Sequence, residues 1–350
     1  ISFFLPHLTW VLASVGTVPW LALTLLEACI LGLGMAAWTW ARRGAVIRTS
    51  PLLQVLGCAL LWTATEEVRS RIPFCGFPWG RIAFSQLDSP TVRLAWLGGA
   101  PLVSFTVAAI GACLALAVIH VRQPAVLVGA LAAAVCLGGV GLVVPLGTQP
   151  ESGTLAVGAV QGNVPDRGLD AFSQAREVLN NHLAGTYALL EQVAPGELDV
   201  VVWPENAVDV IEFSTSDEMA AIAAAAERLG VPILVGVTED VPGDPDRFTN
   251  AQLVVLPDGE LGDRYVKVRR VPFGEYVPLR GLLEAFGAPV DQIGRDALPG
   301  DGVAIVDAPV AGEDVRFAVA ISWEIFFSGR AREGVEAGGS VLLNPTNGAS

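Results

Sequence analysis

Hydrophobic residues follow two different patterns along this chain. In the first 150 residues they form unbroken runs, and a helix needs roughly 20 such residues to cross a hydrocarbon layer about 30 Å thick. Residues 18–40 form one run with Glu27 as its only charge, and Arg42, Arg43 and Arg48 follow at once. Residues 94–119 form a second, closed by His120 and Arg122. Residues 126–146 form a third, rich in the small residues that let membrane helices pack closely. Residues 52–65 are short for a span and extend only if Glu66, Glu67 and Arg69 face protein or water. Those charges read either as a polar track or head-group site or as an interfacial ion pair. Their place at the end of a run favours the pair.

From Thr154 onward short β-branched runs alternate with Ala-rich stretches, the grammar of an α/β domain. Strands are predicted at 155–160, 199–203, 233–237, 251–256, 304–306, 315–321 and 341–343. Helices are predicted at 170–193 and 216–229, the second with Ser216 as N-cap and Asp217 and Glu218 in its first turn. The expected architecture is a membrane helical domain over residues 1–147 and a water-facing α/β domain over 148–350.

Composition sharpens this division. The chain is 52% hydrophobic with a mean hydropathy of +0.54, too apolar for a wholly water-soluble protein of 350 residues. Residues 1–150 carry eight arginines against Glu27, Glu66, Glu67 and Asp88, about +4. Taking that from the net −14 leaves about −18 for the remainder, which speaks against nucleic acid as a partner. Loop 41–50 holds three arginines and is the expected cytoplasmic side. Counting four crossings puts residues 147–350 outside, and one crossing fewer inverts this. All five cysteines lie before residue 150, mostly in apolar runs, with neither zinc nor disulfide spacing. No histidine, cysteine and carboxylate cluster has ligand spacing, so no metal or organic cofactor is expected. His182, on a polar helix, is expected at the surface. Both ends look cut from a longer protein.

Three polar islands each follow an apolar strand, where loops place chemistry on a rigid frame: Trp203-Pro204-Glu205-Asn206, Tyr265-Val266-Lys267 and Ser322-Trp323-Glu324. Each alone reads as solvated loop charge. Together they supply a carboxylate, an ammonium and a nucleophile, a set suited to acyl transfer through a covalent intermediate. Lys267 is the only lysine beside 20 arginines. Its retention fits a compact point charge next to a developing oxyanion, a place a planar guanidinium cannot fill.

In order and type these islands resemble the Glu-Lys-Cys triad of the nitrilase superfamily. The stretch Arg270-Val271-Pro272-Phe273-Gly274-Glu275-Tyr276-Val277-Pro278 is similar to the signature loop of apolipoprotein N-acyltransferases. So are Thr65-Glu66-Glu67-Val68-Arg69, Gly76-Phe77-Pro78-Trp79, Ser85-Gln86 and Ser104-Phe105 in the membrane half. The resemblance implies an α-β-β-α sandwich on membrane helices, in a bacterial inner membrane with the catalytic domain extracytoplasmic. It implies Glu205 as general base, Lys267 as oxyanion stabiliser, residue 322 as nucleophile, and Glu275 and Glu324 as supporting carboxylates. It also implies two lipid-anchored substrates, a phospholipid acyl donor and a diacylglyceryl-cysteine lipoprotein acceptor. The chain departs from the family at Ser322, where the family has cysteine; a hydroxyl depends on its base far more than a thiol does. Trp203 and Trp323 either line an acyl-chain pocket or pack the core. Two alternatives stay open: a membrane-tethered amidase using the same triad, and a non-catalytic lipid- or partner-binding homologue, favoured by Ser322.

Overall fold

The structure, a computed structural model, describes all residues except 148, 151–152, 164–174, 195, 286, 288–289, 291–292 and 348–350. It divides into two compact units, Ile1–Gln149 and Pro150–Ser350.

The first unit is helical: α1 (Phe4–His7), α2 (Thr9–Val15), α3 (Thr17–Ala41), α4 (Ala45–Thr49), α5 (Pro51–Arg69), α6 (Ala95–Ile119) and α7 (Pro124–Gly139). Among the described residues, three helical segments are long and apolar enough to cross a membrane: Thr17–Ala41, Pro90–Ile119 and Pro124–Val143. α6 is broken near its start, where Gly98 and Gly99 leave helical geometry just before Pro101. Small residues set the helix contacts, with Ala109, Cys113 and Ala117 packing in one cluster with Ala59, Ala130 and Ala134.

α5 runs unbroken through the charged end of its sequence because those charges are paired. Arg69 is buried, and its Nη1 donates to Glu27 Oε2 at 3.0 Å, Phe77 O at 2.9 Å and Trp79 O at 2.7 Å. Glu66 Oε1 accepts from Trp62 Nε1 and from the Ile82 amide, and Glu67 pairs with Arg71 and Arg81. The ion pair expected here therefore forms, but as a buried one whose acid comes from the middle of α3. Removing either partner would strand a charge among apolar neighbours.

The second unit contains β1 (Val157–Ala159), α8 (Ala175–Gln192), β2 (Val200–Val202), β3 (Val208–Val210), α9 (Asp217–Leu229), β4 (Ile233–Val241), β5 (Asp244–Val255) and β6 (Leu261–Val266). α10 (Arg280–Ala285), β7 (Asp296–Ala297), β8 (Ile305–Val310), β9 (Glu313–Val319), α11 (Ser328–Glu336) and β10 (Val341–Leu343) follow. One sheet runs β1-β2-β4-β5-β6, with β3 joined to β4 and β7 to β5; the other runs β10-β9-β8. Val200, Leu234, Val254 and Tyr265 of the first sheet bury against Val306, Ala308, Phe317 and Val319 of the second. The opposite face of the large sheet, Val201, Val235 and Leu253, is covered by Leu179 of α8 and Ile222, Ala225 and Ala226 of α9. α11 lies on the small sheet, where a Cβ on Gly334 would stand 2.5 Å from Ala304 O. The layers are thus helix, sheet, sheet, helix, the α-β-β-α sandwich.

Strands buried on both faces, such as β2 and the start of β4, are the ones that read as continuous apolar runs. Ser216 caps α9 as expected, its Oγ accepting from the Met219 amide at 3.0 Å. The helix predicted from 170 is described from Ala175; residues 170–174 of that prediction lie outside the described residues. His182 corrects its expectation, being buried rather than at the surface. Its ring packs on Trp203 at 5.1 Å, and Nδ1–H donates to Val178 O at 2.7 Å. The polar neighbours on α8 had masked its inward face.

Candidate active site

Sheet pairing carries the chain to Glu205 and then lets it go. The Trp203 amide still donates to Leu234 O at 2.8 Å, but Pro204 has no N–H to continue the ladder. Asn206 turns through a left-handed conformation (φ 53°) and accepts from Thr238 Oγ1 at 2.8 Å. Across the turn, a Cβ on Gly236 would stand 2.2 Å from Pro204 O and 2.7 Å from Glu205 Cα. Only glycine permits that approach of two backbones.

Lys267 lies one residue past β6, its amide donating to Asn250 O at 2.8 Å and its carbonyl accepting from the Gly300 amide at 2.9 Å. Its side chain is 2% exposed, and Nζ donates to Glu205 Oε1 and Glu275 Oε1, each at 2.7 Å. Glu275 reaches this point from a tight loop. Its amide donates to Val271 O, its Oε2 accepts from the Val271 amide at 2.8 Å, and its carbonyl accepts from the Ala297 amide. Asn250 Nδ2 adds a second donor, at 2.8 Å from Glu205 Oε1 and 3.2 Å from Glu275 Oε1.

Burial alone would depress the Lys267 ammonium, but the two carboxylates outweigh it and hold its pKa well above the ordinary lysine value. Lys267 is therefore a fixed cation across the physiological range.

Ser322 follows β9 and opens the short helical turn Ser322–Phe326 with φ 49°, a left-handed conformation uncommon for a non-glycine residue. Its amide donates to Pro345 O at 2.9 Å, and two residues on the Asn347 amide donates to Glu205 Oε2 at 3.2 Å. The segment after β10 thus touches both Ser322 and Glu205. Among the described residues, the Ser322 hydroxyl is hydrogen-bonded to neither Glu205 nor Lys267.

Glu324 is fully buried and accepts from the amides of Val268, Arg269 and Ile321, each at 2.9 Å, and from Tyr265 OH at 2.8 Å. It ties the Lys267 strand end to the Ser322 turn. Trp323 packs against Phe326 and Phe327 at 5.3 and 5.9 Å. Trp203 is a core residue, its ring wholly buried and Nε1 donating to Thr186 Oγ1 at 3.0 Å. Of the two roles open to Trp203, it takes packing. Sequence reasoning missed Asn250; the available signal was the pair Asn250 and Gln252, polar at i and i+2 within an apolar strand.

Residues 1–113 match the apolipoprotein N-acyltransferase N-terminal domain, and residues 157–350 match the carbon-nitrogen hydrolase domain. The chain belongs to the apolipoprotein N-acyltransferase family. A relative so named from Mycolicibacterium smegmatis is 37% identical over 100% of this chain and 61% of its own length. Another, from Azotobacter vinelandii, is 35% identical over 81% of this chain and 54% of its own. The chain therefore spans less than two thirds of these relatives. A solved mutant of the Nesterenkonia AN1 amidase from the nitrilase superfamily aligns with a TM-score of 0.38 and 15% identity, over 57% of this chain and 68% of that one.

Proposed function

We propose that this chain acylates the α-amine of diacylglyceryl-cysteine lipoproteins, using a phospholipid as donor, through an acyl-enzyme on Ser322. One observation carries the reading: in a member of this family, a lysine is locked between two carboxylates beside a left-handed serine turn. In the first half-reaction Ser322 Oγ attacks the ester carbonyl carbon of the lipid, and its proton passes to Glu205. Lys267 stabilises the oxyanion. The bond from carbon to the glycerol oxygen then breaks, and the lysolipid leaves with that proton. In the second, the lipoprotein amine attacks the acyl carbon and gives a proton to Glu205. A C–N bond forms, and Ser322 Oγ departs and recovers the proton. Glu275 shares the Lys267 charge, so Glu205 is not the only counter-ion of a buried ammonium.

Both substrates are lipid-anchored, which accounts for a catalytic domain at residues 148–350 joined to membrane helices in residues 1–147. We place the protein in a bacterial inner membrane with residues 148–350 extracytoplasmic, on the strength of the arginines in loop 41–50 and with α5 counted as a fourth crossing beside the three long apolar segments. The test is intact-mass analysis of the full chain in phospholipid vesicles. Wild type should carry an acyl adduct on Ser322, Ser322→Cys more of it, and Ser322→Ala and Glu205→Gln none. Absence of adduct from wild type and Ser322→Cys alike would exclude acyl transfer and leave a lipid-binding homologue.

A further inference from the structure

The two carboxylates at Lys267 are not equivalent, and the difference lies in which oxygens are occupied. Glu205 Oε1 accepts from both Lys267 Nζ (2.7 Å) and Asn250 Nδ2 (2.8 Å). Glu275 Oε1 accepts from the same two donors, at 2.7 and 3.2 Å. Glu275 Oε2 is also taken, by the Val271 amide at 2.8 Å. Glu205 Oε2 meets the Asn347 amide at the longer distance of 3.2 Å, on the segment whose Pro345 carbonyl holds the Ser322 amide. Of the four oxygens, Glu205 Oε2 is the one least saturated by donors, and its one donor belongs to the segment that also holds the Ser322 amide.

We infer that Asn250 is a positioning residue for the proposed reaction: by occupying Glu205 Oε1 together with Lys267, it reserves Glu205 Oε2 as the oxygen that exchanges a proton with Ser322 and the leaving and attacking groups. The inference rests on the roles proposed for Glu205 and Ser322. The side chain's other end supports it. Asn250 is 2% exposed, and its Oδ1 has no hydrogen-bond partner among the described residues. An amide placed only for stability would satisfy both ends, because an unmatched buried acceptor is destabilising. Here the amide is turned so that its donor reaches two carboxylates and its acceptor reaches nothing. The neighbouring strand supplies no donor from Thr238, which pairs in register with Asn250 and commits its hydroxyl to Asn206. Among the described residues the Asn250 side chain is hydrogen-bonded to Glu205 and Glu275 and not to Ser322, so its part in the reaction is played through Glu205.

The experiment uses the full chain in detergent with a p-nitrophenyl acyl ester, following the burst of p-nitrophenolate as Ser322 is acylated between pH 5 and 9. Asn250→Leu keeps the size and removes the donor; Asn250→Thr restores a single hydroxyl donor. Asn250→Leu should slow acylation about 100-fold with KM within about threefold, and move the acidic limb of the rate profile up by about one pH unit. Asn250→Thr should recover part of both. A slower rate with an unmoved acidic limb, or a loss matched by the loss of folded protein in thermal melting, would reduce Asn250 to a structural residue and overturn the inference. So would a raised KM at unchanged kcat. If Asn250→Leu does not fold, the limb position in Asn250→Thr decides. A wild-type burst without transfer to a diacylglyceryl peptide would sink the acyltransferase proposal alone and leave Asn250 to be judged on the burst. No wild-type burst would overturn the inference itself, since there is then no proton transfer to position.

Discussion

Glu324→Gln replaces one buried oxygen with an amino group and leaves size and shape nearly unchanged. In wild type Oε1 accepts from the Val268 and Arg269 amides, Oε2 accepts from the Ile321 amide, and Tyr265 OH lies 2.8 Å from both. A glutamine can present its oxygen to one side only. With the oxygen toward Val268 and Arg269, the new amino group faces the Ile321 N–H, and one buried donor loses its acceptor at about 1–3 kcal/mol. The remaining bonds lose their charge assistance, roughly 1 kcal/mol more in all. Relief of the buried carboxylate's desolvation offsets part of this. The net local loss is about 3 kcal/mol, equivalent to roughly 100-fold in an opening equilibrium. Amide hydrogen exchange on peptides covering 265–270 and 319–324 reads this directly. Protection there should fall about 100-fold while α9 and β4 keep theirs. Protection changed by less than about threefold would mean that Glu324 does not clamp the Lys267 strand end to the Ser322 turn.

Three further outcomes follow from the same geometry. Lys267→Arg should lower acyl transfer at least 100-fold in a lipopeptide acylation assay, because a planar fork cannot sit 2.7 Å from Glu205 and Glu275 at one point; an active arginine variant would refute the point-charge role. Gly236→Ala pushes a methyl to 2.2 Å from Pro204 O and should cost about 1–3 kcal/mol by overpacking, with kcat falling more than thermal stability because Glu205 moves with the strain. His182, whose pKa burial lowers, binds its proton more readily in the unfolded chain. Stability should therefore be complete above about pH 6.5 and fall as the pH drops below it, a component that melting curves should lose in His182→Gln.

The sandwich was legible wherever burial imposes a period. β2, β4 and β10 announce themselves as apolar runs, and α9 carries its own cap. Strands at the margins did not: β6, Leu-Gly-Asp-Arg-Tyr-Val, is exposed for its first four residues, and β7 is two residues long. β5 begins at Asp244, seven residues before the apolar run that predicted it, because hairpin pairing with β4 holds residues that burial does not require. In the membrane half, the charges ending α5 were visible, but Glu27 as the partner of Arg69 was not. A pairing between residues 42 apart follows from helix packing, not from local pattern.

The site divides along the same line. Glu205 and Lys267 stand out as chemistry placed after strands, Glu275 through the resemblance of its loop alone, and the structure gathers the three within 2.7 Å contacts. Ser322 is harder, since its side chain sets the reactivity and its backbone sets the position. The left-handed turn, the Pro345 carbonyl on its amide and the Glu324 clamp all act on the backbone, so they position serine and cysteine alike. What differs is the proton: a thiol near neutrality ionises appreciably by itself, whereas a hydroxyl must deliver its proton to the base as it attacks. In the proposed reaction a serine at this position places the whole demand on Glu205 Oε2 and on whatever keeps that oxygen available. Lys267 cannot share the task, because two carboxylates hold its ammonium charged. On the proposed mechanism, the serine at residue 322 thus makes the arrangement around Glu205, Asn250 included, the part of the site on which acyl transfer would depend most steeply.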